Sequence, residues 1–284
     1  MLLPKVSVVP TLLIVLARHA SAYPSVSPTR IAYESLDGAK PPPSLLLGGL
    51  TRDGIVSVTG IPNFDEVKRA LMSHLHDCIT SIDDGDVVPT EHYRDGTIRR
   101  SFAASTDGAG PRPVKSLEEF VASLPPSESG SCGLFRDRLT TFRSAVDRVT
   151  GMFAERLSAE MGMGASLPAP LLRTSDPAGR DYEDIAAVVA GGVHLEHFHS
   201  YQKGGDRAAM GVVADGIVDG ETIEFHTDQG FFIAFTPGLI VSPGGGLELS
   251  DGFYVQGTNG EKLSMEFTGE DDLVFMMGDG VNQM

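Results

Sequence analysis

The chain has 284 residues and 41% hydrophobic content, enough for a sizeable core in one large domain or two small ones. Its 38 acidic side chains against 22 basic ones give a formal net charge of −16, which repels phosphate backbones and excludes nucleic acid as an expected partner. Two cysteines, Cys78 and Cys132, are too few for a disulfide framework or a metal finger, and leave open either one bridge or two buried thiols.

The N-terminal stretch "MLLPKVSVVPTLLIVLARHASAYPS" has Lys5, an apolar run from Val6 to Ala17 and the small residues Ala20-Ser21-Ala22. That order predicts a secretory signal over residues 1–22, cleaved after Ala22. The run is too short for a stable membrane anchor. Pro4, Pro10 and the lack of amphipathic spacing argue against a buried helix. The Ala-Ser-Ala-Tyr junction, followed by Ser, Pro and Arg with no acidic residue before Glu34, resembles the bipartite plastid signals of algae with secondary plastids. Plastid import is therefore the alternative to the secretory pathway.

Residues 23–49 are rich in Ser and Pro, including Pro41-Pro42-Pro43, and read as a linker or transit segment. Residues 50–166 read as a supporting strand–helix region. A β-branched strand is expected over Ile55–Val58, then a Gly-Ile-Pro turn and an amphipathic helix starting near Asn63 or Asp65. Val67, Leu71, Leu75 and Cys78 share one face of that helix. Residues 82–112 read as irregular connection. Ser116 and Glu119 have capping-box spacing. Leu134 to Met161 is the longest helical pattern, and its stripe of Leu139, Phe142, Val146, Val149, Phe153 and Leu157 is expected to pack into the core.

Residues 167–284 change texture. Short β-branched and aromatic runs predict strands at 193–201, 209–213, 222–227, 231–235, 239–241, 247–249, 253–255, 263–267 and 273–276. Turn residues separate them, and no repeat of fixed period is present. The fold class expected is mainly β, a sandwich or barrel with a helical N-terminal half.

The chemistry gathers in "IEFHTDQGFFIAF", Ile223 to Phe235. His226 and Asp228 at i and i+2 share one face if the segment is a strand. An imidazole and a carboxylate side by side can occupy adjacent corners of an octahedral ion, as in iron(II) sites with two histidines and one carboxylate. Three further runs follow: Gly246-Leu247, then Gly252-Phe253-Tyr254, then Val274-Phe275-Met276-Met277-Gly278-Asp279.

This order resembles the iron(II)- and 2-oxoglutarate-dependent oxygenases of the isopenicillin N synthase-like superfamily. The stretch "LTRDGIVSVTGIPNFDEVKRAL" is similar to the N-terminal strand–helix region of that group. The resemblance implies a double-stranded β-helix (jelly roll) and oxidation of a small organic substrate. It implies His226 and Asp228 as metal ligands, iron(II) and 2-oxoglutarate as cofactor and co-substrate, and ascorbate as a reductant. Tyr201, with His199 beside it, falls where that group often contacts its co-substrate.

The resemblance also implies a distal histidine and a carboxylate-gripping arginine on strands after the Gly278-Asp279 turn. The expectation is thus of a jelly roll incomplete at its C-terminus, impaired in turnover. The rival is a third ligand from "HLEHFHSY", where His197 and His199 alternate with Phe198. His-x-His before glycines is also cupin-like, although the downstream glutamate of that pattern is missing. A non-catalytic β-domain that binds a ligand is the alternative from another class.

Other motifs carry less. His74 and His76 lie two apart in a helix and do not share a face. His92 falls in the stretch read as loop. Gly244-Gly245-Gly246 lacks the Lys-Ser/Thr and helix of a phosphate loop, and no Gly-x-Ser-x-Gly elbow occurs.

Overall fold

A large sheet with helices on one face and a small three-stranded sheet on the other organises the chain in its computed structural model. Described are residues 7–12, 23–37, 45–82, 88–93, 96–105, 130–161, 184–192, 194–203, 217–218, 226–228, 230–241, 247–250, 253–257 and 259–279. The expected strand at 209–213, most of that at 222–227 and the capping box at Ser116 fall outside them.

In chain order the elements are β1 (Ser7–Leu12), β2 (Ser25–Val26), β3 (Thr29–Ala32), α1 (Leu45–Asp53), β4 (Ile55–Thr59), α2 (Phe64–Ser81), β5 (Thr90–Tyr93) and β6 (Thr97–Ser105). Then come α3 (Gly130–Glu160), α4 (Ile185–Gly191), β7 (Leu195–Lys203), β8 (Ile217–Val218), β9 (Phe232–Thr236), β10 (Leu239–Val241), β11 (Leu247–Leu249), β12 (Tyr254–Gln256), β13 (Lys262–Met265) and β14 (Leu273–Met277). The main sheet has nine strands in the order β3-β4-β14-β9-β1-β7-β6-β5-β8, beside the pair β10-β11 and the triplet β12-β13-β2. None of these sheets closes among the described residues. The class is mixed helix and sheet rather than mainly β.

Helices α2 and α3 cover one face of the large sheet. The apolar stripe of α3 supplies the reason: Phe135 meets Phe198 edge-on at 5.4 Å, and Phe153 stacks on Phe275 at 3.9 Å between ring centres. The expected core role of that stripe holds, since Leu139, Phe142, Val146, Val149 and Leu157 are all buried. Arg143 of α3 grips Glu196 of β7 with both carboxylate oxygens engaged, a buried link from helix to sheet. The other face carries Ile55, Ile233, Phe235 and Val274, packed against Met265, Phe253 and Phe267 of the β12-β13-β2 layer. Strand β9 is therefore buried on both faces, and this is why "FIAFT" is a near-continuous apolar run without alternation.

Strand β1 runs parallel to both its neighbours, β7 and β9, in the middle of the sheet. Its pairing with β7 is recorded at Ser7, Val8, Thr11 and Leu12 and skips Val9 and Pro10. Pro10 has no N–H to donate, so a break in the ladder is expected there. The segment read as a secretory signal thus also satisfies a strand position, because a β-branched apolar run meets both demands. The stretch read as linker carries β2, β3 and most of α1. Residues 82–112, read as irregular connection, hold the β5–β6 hairpin. Its signal was the Asp95-Gly96 dipeptide: Gly96 has φ +86° and its N–H donates to Tyr93 O at 3.0 Å.

Lys68 of α2 is 1% exposed, with Nζ 3.4 Å from the Glu270 carbonyl. Burial lowers its pKa from 10.5 to about 7, opposed by Asp272 and Asp271 and assisted by Arg69. A depressed ammonium means the unfolded chain binds the extra proton between these values, so stability rises with pH from about 7 to 10.5. Lys68→Met is expected to raise stability at pH 6 by about 1–4 kcal/mol and to flatten that rise. Urea denaturation at pH 6, 8 and 10 measures both effects.

Candidate functional site

His226 and Asp228 lie just before β9, in irregular backbone rather than in the strand expected over 222–227. They nevertheless converge, with His226 Nε2 3.7 Å from Asp228 Oδ1. The imidazole is 58% exposed and the carboxylate 29%. Burial raises the Asp228 carboxyl above the ordinary range, and His226 pulls it back down.

The pair is placed by its backbone. After pairing Met277 with Phe232, the exit of β14 runs on beside Asp228, Gly230 and Phe231. Gly278 N–H donates to Phe231 O at 2.9 Å, and Asp279 N–H donates to Asp228 O at 2.7 Å. A Cβ at Gly278 would stand 2.2 Å from Gly230 O and 2.8 Å from Asp228 O, so only glycine permits this approach. Thr227, between the pair, lines a cavity of about 330 Å³ with Leu47, Leu50, Leu157, Met161 and Met277.

A second polar cluster sits on β5, β6 and β7. Phe198 and Ser200 face the helices, Phe198 against Phe135 and Ser200 Oγ 2.8 Å from His76 Nδ1. By alternation His197, His199 and Tyr201 face away from them. Register sets Arg99 opposite Tyr201 and Ser101 opposite His199 on the same face. His199 Nδ1 is 2.9 Å from Ser101 Oγ and 3.5 Å from Arg99 Nη2. Arg99 Nη1 is 3.3 Å from Glu91 Oε2, and Tyr93 Oη donates to the same oxygen at 2.7 Å. Burial, then Arg99 and His197, lower the His199 imidazole to about 3, so it is neutral. Burial raises the Tyr201 phenol far above its ordinary value, against the pull of Arg99.

The two groups stand apart. Ile233 and Leu195 both pair with Ser7, so they are level across the sheet. Tyr201 lies six positions beyond that level, about 20 Å at roughly 3.3 Å per residue, whereas Asp228 precedes Ile233 at the other end. His199 and Tyr201 therefore do not join His226 and Asp228, and neither histidine of β7 stands as a third ligand. Among the described residues no group of three or more His, Cys, Asp or Glu side chains gathers. His74 and His76 are in α2, as their spacing suggested, while His92 is in β5 rather than a loop. Arg99 was missed because its strand was read as connection; the alternation of "TIRRSFAAS" was the available signal. No protein-family model and no curated protein matches the chain.

Proposed function

We propose that the chain is the core of a non-haem iron(II)- and 2-oxoglutarate-dependent oxygenase acting on a small organic substrate. The observation that carries this reading is the 3.7 Å convergence of His226 Nε2 and Asp228 Oδ1 at the start of an apolar central strand. Adjacent ligands of an octahedral ion with bonds near 2.1 Å stand about 3 Å apart. The donors need to close by only about 0.7 Å, so an imidazole and a carboxylate here fit two corners of such a site.

His226 would hold the metal through Nε2 and Asp228 through Oδ1. Bound iron(II) would supply oxygen chemistry, converting substrate, 2-oxoglutarate and O₂ into hydroxylated substrate, succinate and CO₂. The chain's own residues have clear tasks. The exposed imidazole leaves the open corners reachable. Gly278 and Asp279 fix the backbone of Asp228 by close approach and a hydrogen bond. Leu47, Leu50, Leu157, Met161 and Met277 keep the neighbouring cavity largely apolar, which disfavours water near the centre. The large sheet, with helices outside and the β12-β13-β2 layer inside, supports the jelly-roll architecture that the motif order resembles.

Two protein donors make for weak binding. Mn(II) titrated into the full chain, followed by the resonance of free Mn(II), is expected to show low affinity. His226→Ala and Asp228→Ala should each weaken it at least about tenfold, and His199→Ala should leave it unchanged. Binding that ignores both substitutions at the pair would remove the basis of this reading. Tight binding lost on His199→Ala would reassign the ligands to β7.

A further inference from the structure

We propose that the cavity between α1, the end of α3 and the exit of β14 is a binding site for a small uncharged apolar molecule of about ten heavy atoms, of the chemical class of an aliphatic alcohol. The site takes its guest without any metal and does not rest on the oxygenase reading.

The wall has apolar surface to spare and polar groups that are already spoken for. Leu50 of α1 and Leu157 of α3 belong to the main core. Leu47, Met161 and Met277 pack against that core and stay half-buried around the cavity. An apolar guest would take their remaining surface out of water. Two of the three are methionines, whose flexible thioethers adapt to an irregular guest. The polar backbone of the wall offers such a guest no competition from water. Met277 N–H donates to Gly54 O at 2.8 Å, Gly278 N–H to Phe231 O at 2.9 Å and Asp279 N–H to Asp228 O at 2.7 Å. Thr51 Oγ1 donates to Leu47 O at 2.8 Å within its own helix. Four donors of the wall are thus turned away from the cavity, and a cavity poor in polar partners takes apolar molecules rather than water.

Charge and size narrow the class. Among the described residues that line the cavity, Asp279 is the one charged side chain, and no lysine, arginine or histidine stands with it. A carboxylate or phosphate would meet no cation there, and the net charge of −16 repels it further. Burying any charge against leucine and methionine is costly, so the guest is neutral. The volume of about 330 Å³ holds about eleven water-sized groups at roughly 30 Å³ each. That is the small end of ligand cavities and too little for a helix, about 10 Å across with its side chains. The occupant is accordingly a small molecule rather than a segment of protein.

The test is calorimetric titration of the metal-free full chain with straight-chain alcohols from butan-1-ol to dodecan-1-ol, and with octanoate. Affinity is expected to rise about fourfold for each added CH₂ and to level off at about ten heavy atoms, where the cavity is full. Octanoate should bind at least about tenfold more weakly than octan-1-ol. Leu47 is half-buried, so it can be changed at small cost to folding. Leu47→Phe should fill the cavity and weaken octan-1-ol at least about tenfold, while Leu47→Ala should enlarge it and move the plateau to a longer alcohol. Phe253→Leu, on the opposite face of the sheet, and Asp228→Ala should leave all of this unchanged. An affinity that climbs steadily to dodecan-1-ol in both Leu47 variants would mean unspecific partition and overturn the proposal. So would octanoate bound as tightly as octan-1-ol, loss of binding on Phe253→Leu, or no binding at all. Alcohol binding that weakens as the chain is concentrated would give the cavity to a second copy and likewise overturn it.

Discussion

Removing the Cys78–Cys132 bridge, by substituting both residues with alanine or by reduction, is expected to lower the stability of the chain by about 4 kcal/mol. The disulfide joins α2 to α3, whose cysteines are 1% and 0% exposed and 54 residues apart. In the chain-entropy account a cross-link restricts the unfolded chain by an amount that grows with the logarithm of the loop, and a loop of this length gives roughly that figure at 25 °C. The two helices also pack through Phe64 and Phe142, 5.7 Å between ring centres. They should stay associated without the bridge, and the loss should come mainly through the unfolded state. Guanidinium denaturation of oxidised and reduced chain measures it, with the midpoint moving and the slope changing because the unfolded chain expands. Equal midpoints would mean the bridge adds no stability. A buried disulfide also needs an oxidising environment to form.

The sequence was most legible where one physical demand acted on a segment. The α3 stripe had only a core to fill, and the helix and its buried face follow from spacing alone. The terminal strands from β9 to β14 were readable because turn residues punctuate apolar runs. Legibility failed where two demands give the same pattern. An apolar, β-branched run suits a signal segment and a central strand equally, so nothing in "SVVPTL" distinguishes β1 from a leader. It failed again where polar residues line a buried face: "TEHY" and "TIRR" look like solvated connection until strand pairing shows Tyr93 and Arg99 both engaging Glu91 beside the buried Tyr201. His226 and Asp228 were identifiable as a pair by their spacing. Their separation from His199 and Tyr201 was not, because strand register depends on β1, whose place no local pattern discloses.

The convergence of His226 and Asp228 without a regular strand makes Gly278 the position with the largest predicted effect on the site. Gly278→Ala is expected to destabilise the chain by about 1–3 kcal/mol and to abolish the residual Mn(II) binding of the pair. The added Cβ meets backbone oxygens of Gly230 and Asp228, which cannot swing aside as a flexible side-chain tip would. Relief requires the exit of β14 to separate from Asp228 and Gly230. That movement breaks the Gly278–Phe231 and Asp279–Asp228 hydrogen bonds and frees the carboxylate from its partner imidazole. The same exchange at Gly48 is the control: nothing lies within 4 Å of its Cβ, and it sits inside α1. Gly48→Ala should therefore stabilise by about 0.4–1 kcal/mol and leave metal binding intact. Thermal unfolding with Mn(II) titration on both variants separates the cases. If Gly278→Ala matched Gly48→Ala in both measurements, close backbone approach would not be what positions Asp228, and the geometry of the pair would need another cause.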